Sequence, residues 1–379
     1  MSATIERDDI TEVVYIDDHI EEAAQLEDAF GQFKKVDLHD SEWLKALEPA
    51  IENAGLIITD LKLDYMAQRE PFWSIDGKVL NEFIRAKRRE NPKHPLFTIF
   101  SGNLNEVPNP EHHAGRPHIL AQYLDADWVG DKTKGSEFRG QLLLLCDARR
   151  ELQAGTCDPS TISEYWRSVF KLESDLSWSE EALKEIERFQ PPVQHLYGTG
   201  RDERIFLQWM TRVVFPYPTF LLDAYEVAIR LRLDPKQTAS LLADGSSAIS
   251  RALTPVRYGG ILASFEGDRW WRVGLGDWLW DQTAGNPYDR GRLQEALAEA
   301  AGQQLKFLEE RDPVLLRDKR GRLMEDDLIA DASEAVRIQP DEWPASVPWP
   351  WARISTVRKD PILKAIVLPD DQHILLRQR

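Results

Sequence analysis

The sequence predicts an α/β fold with a doubly wound parallel sheet over residues 1–152, followed by a mainly helical α+β region over 153–379. Three observations carry this. Val13-Val14-Tyr15-Ile16, Leu56-Ile57-Ile58-Thr59 and Leu96-Phe97-Thr98-Ile99-Phe100 are short unbroken apolar runs, the pattern of strands buried on both faces. Stretches with helical apolar spacing separate them. Each run ends in polar residues: Asp17-Asp18, Asp60 and Ser101-Gly102. Open α/β sheets bind ligands outside the carboxyl ends of their strands, so polar groups delivered to one edge by three strands predict a site there.

The elements follow in order. Ile20, Ala23, Ala24, Leu26, Ala29 and Phe30 space a helix over 20–33, and Lys35–Leu38 reads as a short second strand. Ser41 is placed to cap a helix carrying Trp43, Leu44, Leu47 and Ile51 on one face. After the strand ending at Asp60, a polar and aromatic stretch with Tyr65, Phe72 and Trp73 precedes Asp76-Gly77, which opens a helix with Val79, Leu80, Phe83 and Ile84 apolar. The strand ending at Ser101 gives way to a loop rich in Pro, His and Asn. A helix over 118–124, a strand around Trp128-Val129 and a helix over 136–152 complete five strands alternating with five helices, an arrangement of flavodoxin-like type. His112, His113 and His118 fall in or beside that loop with no matching ligand spacing.

Composition narrows the function. The chain has 379 residues, more than one core usually organises, so two domains are expected. A net charge of −17 argues against broad binding to nucleic acid or anionic membrane, which needs a basic surface. Cys146 and Cys157 provide neither a disulfide framework nor zinc-ligand spacing. The opening MSATIERDDI has no signal-peptide pattern, and no apolar run approaches the ~20 residues that span a bilayer. A cytoplasmic protein with reduced thiols and no membrane association is expected.

Residues 1–152 resemble the receiver domain of two-component response regulators. The resemblance rests on Asp17-Asp18 after the first strand, Asp60 after the third, Ser101-Gly102 after the fourth and Lys132 after the fifth. It implies that Asp17, Asp18 and Asp60 bind Mg²⁺, that Asp60 accepts a phosphoryl group, and that Ser101 and Lys132 contact the phosphoryl oxygens. The chemistry suits these residue types. Mg²⁺ is a hard cation that takes carboxylate oxygens and keeps several waters. A divalent ion relieves repulsion between clustered carboxylates, and a lysine offsets charge on a transferring phosphoryl group. The sequence departs from the family pattern in three places, one of them the stretch between Asp60 and Asp76-Gly77, which is longer than the family's short loop. Thr133 follows Lys132 where receivers usually carry proline, and Val129 stands three residues before the lysine where an aromatic is usual. Asp17-Asp18 also suits the simpler role of capping the first helix.

Residues 153–160 read as a linker, and helices are expected over 162–172, 179–189, 205–214, 219–231 and 290–308. Residues 234–253 resemble a helix-turn-helix whose second helix would offer Ser246, Ser247, Ser250 and Arg251 to DNA. The tryptophans at 270, 271, 278 and 280 suggest an aromatic core or a partner surface. Short apolar runs at 314–316, 335–338, 352–357, 365–368 and 374–376 predict a small antiparallel sheet over 313–379, crossed by Trp343, Trp349 and Trp351.

Three functions are therefore expected in turn. The first is a non-enzymatic signalling protein phosphorylated on Asp60 by a sensor histidine kinase, with an output region that contacts another protein. The second is an unphosphorylated receiver-like interaction module in a bacterial stress or defence assembly. The third is a DNA-binding regulator through 234–253.

Overall fold

A five-stranded, all-parallel sheet organises the first part of the chain in the computed structural model, which describes residues 12–17, 19–38, 42–62, 77–91, 94–155, 157–197, 202–301 and 304–377. Its elements are β1 (Val13–Asp17), α1 (Ala24–Glu27), β2 (Phe33–Asp37), α2 (Trp43–Asn53), β3 (Leu56–Thr59), α3 (Gly77–Glu90), β4 (Leu96–Ser101), α4 (Pro110–His113), α5 (Pro117–Tyr123), β5 (Trp128–Asp131) and α6 (Gly135–Ala154). The strand order is β2-β1-β3-β4-β5. Every residue of β1, β3 and β4 is buried, as expected of unbroken apolar runs in a parallel sheet.

The expected helix over 20–33 is much shorter. A 3-10 turn at Ile20–Ala23 leads into the single turn of α1, and the chain is already β2 at Phe33. Phe33 stacks on Tyr15 of β1 with ring centroids 6.0 Å apart. The end of the apparent helical pattern is thus cross-strand packing, which a single sequence does not separate from helix periodicity over so few residues. At the other side of the sheet, Gly130 in β5 permits a close approach. A Cβ there would lie 2.1 Å from the Phe138 ring of α6, and that ring stacks on Phe100 of β4 at 4.7 Å.

The described residues divide into two units, 1–155 with 193–208 and 156–192 with 209–379. Segment 193–208 thus belongs with the sheet, although the chain on either side of it does not. It brings Gln208 to Asp127, at the amino end of β5. Asp127 is 2 % exposed and accepts from the Phe97 backbone N–H (2.7 Å), from Gln208 Nε2 (2.6 Å) and from the Arg88 guanidinium (3.2 Å). Burial lowers the Arg88 pKa, and Asp127 pulls it back. Asp202 and Arg204 form a bidentate pair in the same segment (2.8 and 2.6 Å).

The second unit packs around aromatics. Trp271 lies against Phe170, Trp178, Phe220 and Tyr258, so this part of the tryptophan-rich stretch is core, while Trp280 is 55 % exposed. Helices span Ile162–Phe170, Ser179–Arg188, Ala224–Leu231, Pro235–Ala243, Ala248–Ala252, Arg272–Gln282 and Arg290–Ala301. The helix expected over 219–231 begins only after the short strand Leu221–Leu222, where Asp223 caps it by accepting from the Glu226 N–H (2.8 Å). The one expected over 290–308 ends at Ala301, and Phe307 bridges to Leu233 instead.

Past residue 313 there are two separate two-stranded antiparallel sheets, Pro313–Leu315 with Ile329–Asp331 and Ala335–Arg337 with Trp351–Arg353. Runs 354–357 and 374–376, expected as strand, are helical, and 365–368 joins the sheet region only through a bridge of Val367 to Ile338. Between them, Asp360 accepts from the Ile362 and Leu363 N–H groups with Pro361 in the first helical position, which starts a further short helix at Pro361–Ala365. Trp343 packs edge-on to Tyr217 at 4.7 Å and beneath the Arg317 guanidinium rather than across a sheet. No helix among the described residues is long and apolar enough to cross a membrane.

The Arg88–Asp127 pair sets a test of this fold. Asp127→Ala should cost about 3–5 kcal/mol, because it strands a buried guanidinium. Adding Arg88→Met should recover part of that loss. Chemical denaturation of the two variants beside the parent measures both.

Candidate functional site

The sheet's carboxyl edge is built by register. Ile16 pairs with Thr59, so the next residues, Asp17 and Asp60, leave neighbouring strands side by side. The strand order reverses between β1 and β3, the position where doubly wound sheets open a ligand crevice. The 3-10 turn after β1 then brings up Glu22. Carboxylate oxygens of Asp17, Glu22 and Asp60 lie within 4.8 Å of one another, and these three residues could hold a metal ion.

A cation from the far side of the sheet reaches the same place. Asp131 ends β5 and caps a 3-10 turn at Lys132–Lys134, its carboxylate accepting from the Thr133 N–H (2.8 Å) and hydroxyl (2.7 Å). That turn stands where the family pattern has proline. It directs the Lys132 ammonium to Asp17 Oδ2 (2.9 Å) and into ion pairs with Asp60 and Glu22. The Lys132 side chain is 13 % exposed and that of Asp17 fully buried.

Electrostatics follow from this packing. Burial disfavours the Lys132 charge, yet hydrogen bonds to Asp60, Glu22 and Asp17 outweigh it, and the net shift is upward from 10.5. The sign is that of a base gaining partners on folding. Its stabilising contribution is complete below 10.5 and is lost only as pH rises past that value. Asp17 is pushed above the usual carboxylate range by burial, against the opposing pull of Tyr15, His19 and Lys132. Its oxygens accept from the Tyr15 hydroxyl (2.6 Å) and the His19 N–H (2.9 Å). Asp60 accepts from the Lys62 N–H (3.0 Å), and Asn81 Nδ2 donates to its backbone carbonyl (3.4 Å).

Of the residues singled out from sequence, Asp17, Asp60 and Lys132 come together. Asp18 lies outside the described residues, as do Tyr65, Phe72 and Trp73. Ser101 is fully buried at the end of β4 opposite Asp131, and its hydroxyl accepts from the Asn103 N–H (3.2 Å). Two residues were missed, Glu22 and Asn81. Glu22 sits five positions after Asp17 among other acids of an apparently amphipathic helix, and only the short 3-10 turn lifts it to the strand ends. The paired acids Glu21-Glu22, placed so soon after a strand, were the available signal.

The helix-turn-helix-like segment forms two helices, but its polar side chains serve the turn. Ser247 bonds the Leu241 carbonyl (2.6 Å) and caps the second helix, Ser250 bonds the Leu242 carbonyl (3.4 Å), Ser246 bonds Asp244 (2.6 Å), and the Arg251 guanidinium bonds the Ser246 carbonyl. That second helix has only five residues.

Three carboxylates against one ammonium leave a formal charge of −2 at the sheet edge. A divalent cation matches that charge and would have to share or displace the ammonium. Lys132→Met should therefore lower the unfolding midpoint by several degrees in EDTA and bind Mg²⁺ or Mn²⁺ several-fold more tightly than the parent. Thermal denaturation and calorimetric titration check the two halves of this expectation.

Comparison of the chain with protein-family models, with curated proteins and with solved structures finds no significant match.

Proposed function

We propose that the first unit is a receiver-like phosphoryl acceptor and that Asp60 is the accepting residue. One observation carries the reading: Asp17, Glu22 and Asp60 converge within 4.8 Å at the β1/β3 edge, with Lys132 reaching across from β5. The strand order β2-β1-β3-β4-β5 is the flavodoxin-like order, and its ligand crevice falls at β1/β3. The sequence resemblance and this placement share Asp17, Asp60 and Lys132.

The donor set of hard oxygens fits Mg²⁺, held by Asp17, Glu22 and Asp60. When bound, the ion would neutralise charge on the phosphoryl oxygens. The chain's own groups do the rest. An Asp60 carboxylate oxygen attacks the phosphorus of a phosphohistidine-type donor, the new O–P bond forming as the N–P bond breaks and the imidazole leaves with the electron pair. The Lys62 N–H orients the Asp60 carboxylate through its other oxygen, Oδ1. Lys132, already paired with Asp60, stands ready to follow the charge onto the phosphoryl group. The partner implied is a sensor histidine kinase, with the second unit as output.

A second reading keeps the fold without the phosphotransfer. Its support is Lys132 itself, which already pairs with all three carboxylates and so quiets the site without any added ion. In that case the unit is a docking module, in keeping with an assembly role in stress or defence.

One experiment separates them. Incubation with Mg²⁺ and acetyl phosphate should add a hydroxylamine-labile phosphoryl group, seen by intact mass. Asp60→Asn should abolish it and also abolish any response to beryllofluoride. An unmodified parent protein that nonetheless captures the same partner as Asp60→Asn would establish the docking reading.

A further inference from the structure

Tyr15 stands in the middle of an apolar run, where its ring reads as core, and the residue is fully buried. Its hydroxyl does something an apolar residue there could not. Tyr15 and Asp17 are two apart on β1, so both side chains point to one face, with about 6.6 Å of strand between them. A phenol spans that distance, and the Tyr15 hydroxyl donates to Asp17 Oδ2 (2.6 Å). The same oxygen takes the Lys132 ammonium (2.9 Å), so it is an acceptor and the hydroxyl is the donor. Phe33 of the neighbouring strand stacks on the Tyr15 ring at 6.0 Å and seats it.

The three carboxylates differ in what holds them. Lys132 pairs with each, and a divalent ion has to draw on the same oxygens. Glu22 has a side chain 37 % exposed, on a 3-10 turn of four residues. Asp60 takes the Lys62 N–H on Oδ1 (3.0 Å) and Lys132 on Oδ2. Asp17 keeps two donors that do not depend on the lysine, the His19 N–H on Oδ1 (2.9 Å) and the Tyr15 hydroxyl on Oδ2. Of these two, the hydroxyl is on the oxygen that the ammonium shares. A carboxylate oxygen has two lone pairs. On Oδ2 one serves Tyr15 and the other serves Lys132, so departure of the ammonium opens a single place on an oxygen still held.

We propose that Tyr15 is a positioning residue for the cation: its hydroxyl keeps Asp17 Oδ2 aimed at the place the ammonium gives up, so that a divalent ion meets a preset ligand. The inference rests on the cation half of the function proposed above. It adds a residue that touches neither the ion nor the phosphoryl group and acts through Asp17 alone. Groups that hydrogen-bond a ligating carboxylate set its orientation, and losing one costs about ten- to a hundredfold in metal affinity.

The test titrates the full chain with Mg²⁺ and with Mn²⁺ by calorimetry, with no phosphoryl donor present. Tyr15→Phe keeps the ring that stacks on Phe33 and removes only the hydroxyl. It should weaken both ions about tenfold or more. The same loss should separate Lys132→Met from the double variant Tyr15→Phe with Lys132→Met, because the ammonium is gone from both. Circular dichroism checks folding, and Tyr15→Leu replaces Tyr15→Phe where that chain does not fold. Unchanged affinity in the parent background makes Tyr15 core alone and overturns the inference. A loss confined to chains that carry Lys132 makes the hydroxyl a support of the ion pair and overturns it too. A parent chain that binds neither ion overturns it together with the cation half of the reading. The tenfold loss in a chain that takes no phosphoryl group from acetyl phosphate supports the inference and fails phosphotransfer alone.

Discussion

One ammonium among three carboxylates is the constraint on which the carboxyl edge of the sheet depends. Register places Asp17 and Asp60 next to each other at the ends of adjacent strands, and the turn after β1 adds Glu22. Like charges about 4 Å apart repel by about 4 kcal/mol at an effective dielectric near 20. A sheet edge built this way needs a counter-charge from elsewhere. Lys132 provides it from 72 residues beyond Asp60. The features that aim it there, the Asp131 cap and the close seating of Phe138 over Gly130, are local devices serving a long-range contact.

The opposite edge of the same sheet solves a similar problem in another way. Asp127 is almost as deeply buried as Asp17, yet every group aimed at it is a donor: a backbone N–H, an amide and a guanidinium. Segment 193–208 contributes one of those donors. The Asp127 carboxylate is thus satisfied within the chain. The carboxyl edge keeps an excess of negative charge, and buried charge of one sign is the usual mark of a site rather than of a scaffold.

Legibility followed the length and context of each signal. The strands β1, β3 and β4 were read within a residue or two, because an unbroken apolar run of four or five that ends in polar residues suits little besides a buried strand. Asp17, Asp60 and Lys132 were legible because each ends or directly follows a strand. Glu22 and Asn81 were not, since both belong to segments whose helical patterning gives every polar residue the same bland meaning. The long interval between Asp60 and α3 showed in the sequence, but most of it lies outside the described residues. In the last stretch of the chain, past residue 313, apolar runs of three or four were too short to distinguish strand from helix.

The polar contacts around Asp60 also connect it to its surroundings. Its side chain accepts from the Lys62 N–H, its carbonyl accepts from Asn81, and the Lys62 ammonium reaches Glu106 in the loop after β4. In the proposed reading, a phosphoryl group on Asp60 adds charge and acceptor oxygens where one carboxylate now shares Lys132 with two others. The ammonium follows the greater charge, which loosens its hold on Glu22, the most exposed of the three acids. The Lys62 backbone must readjust with the Asp60 carboxylate, and the Lys62–Glu106 pair transmits that change to the loop after β4. A covalent change shifts an equilibrium only by the difference in its interactions with the two states. Here that difference lies in which carboxylates keep the lysine.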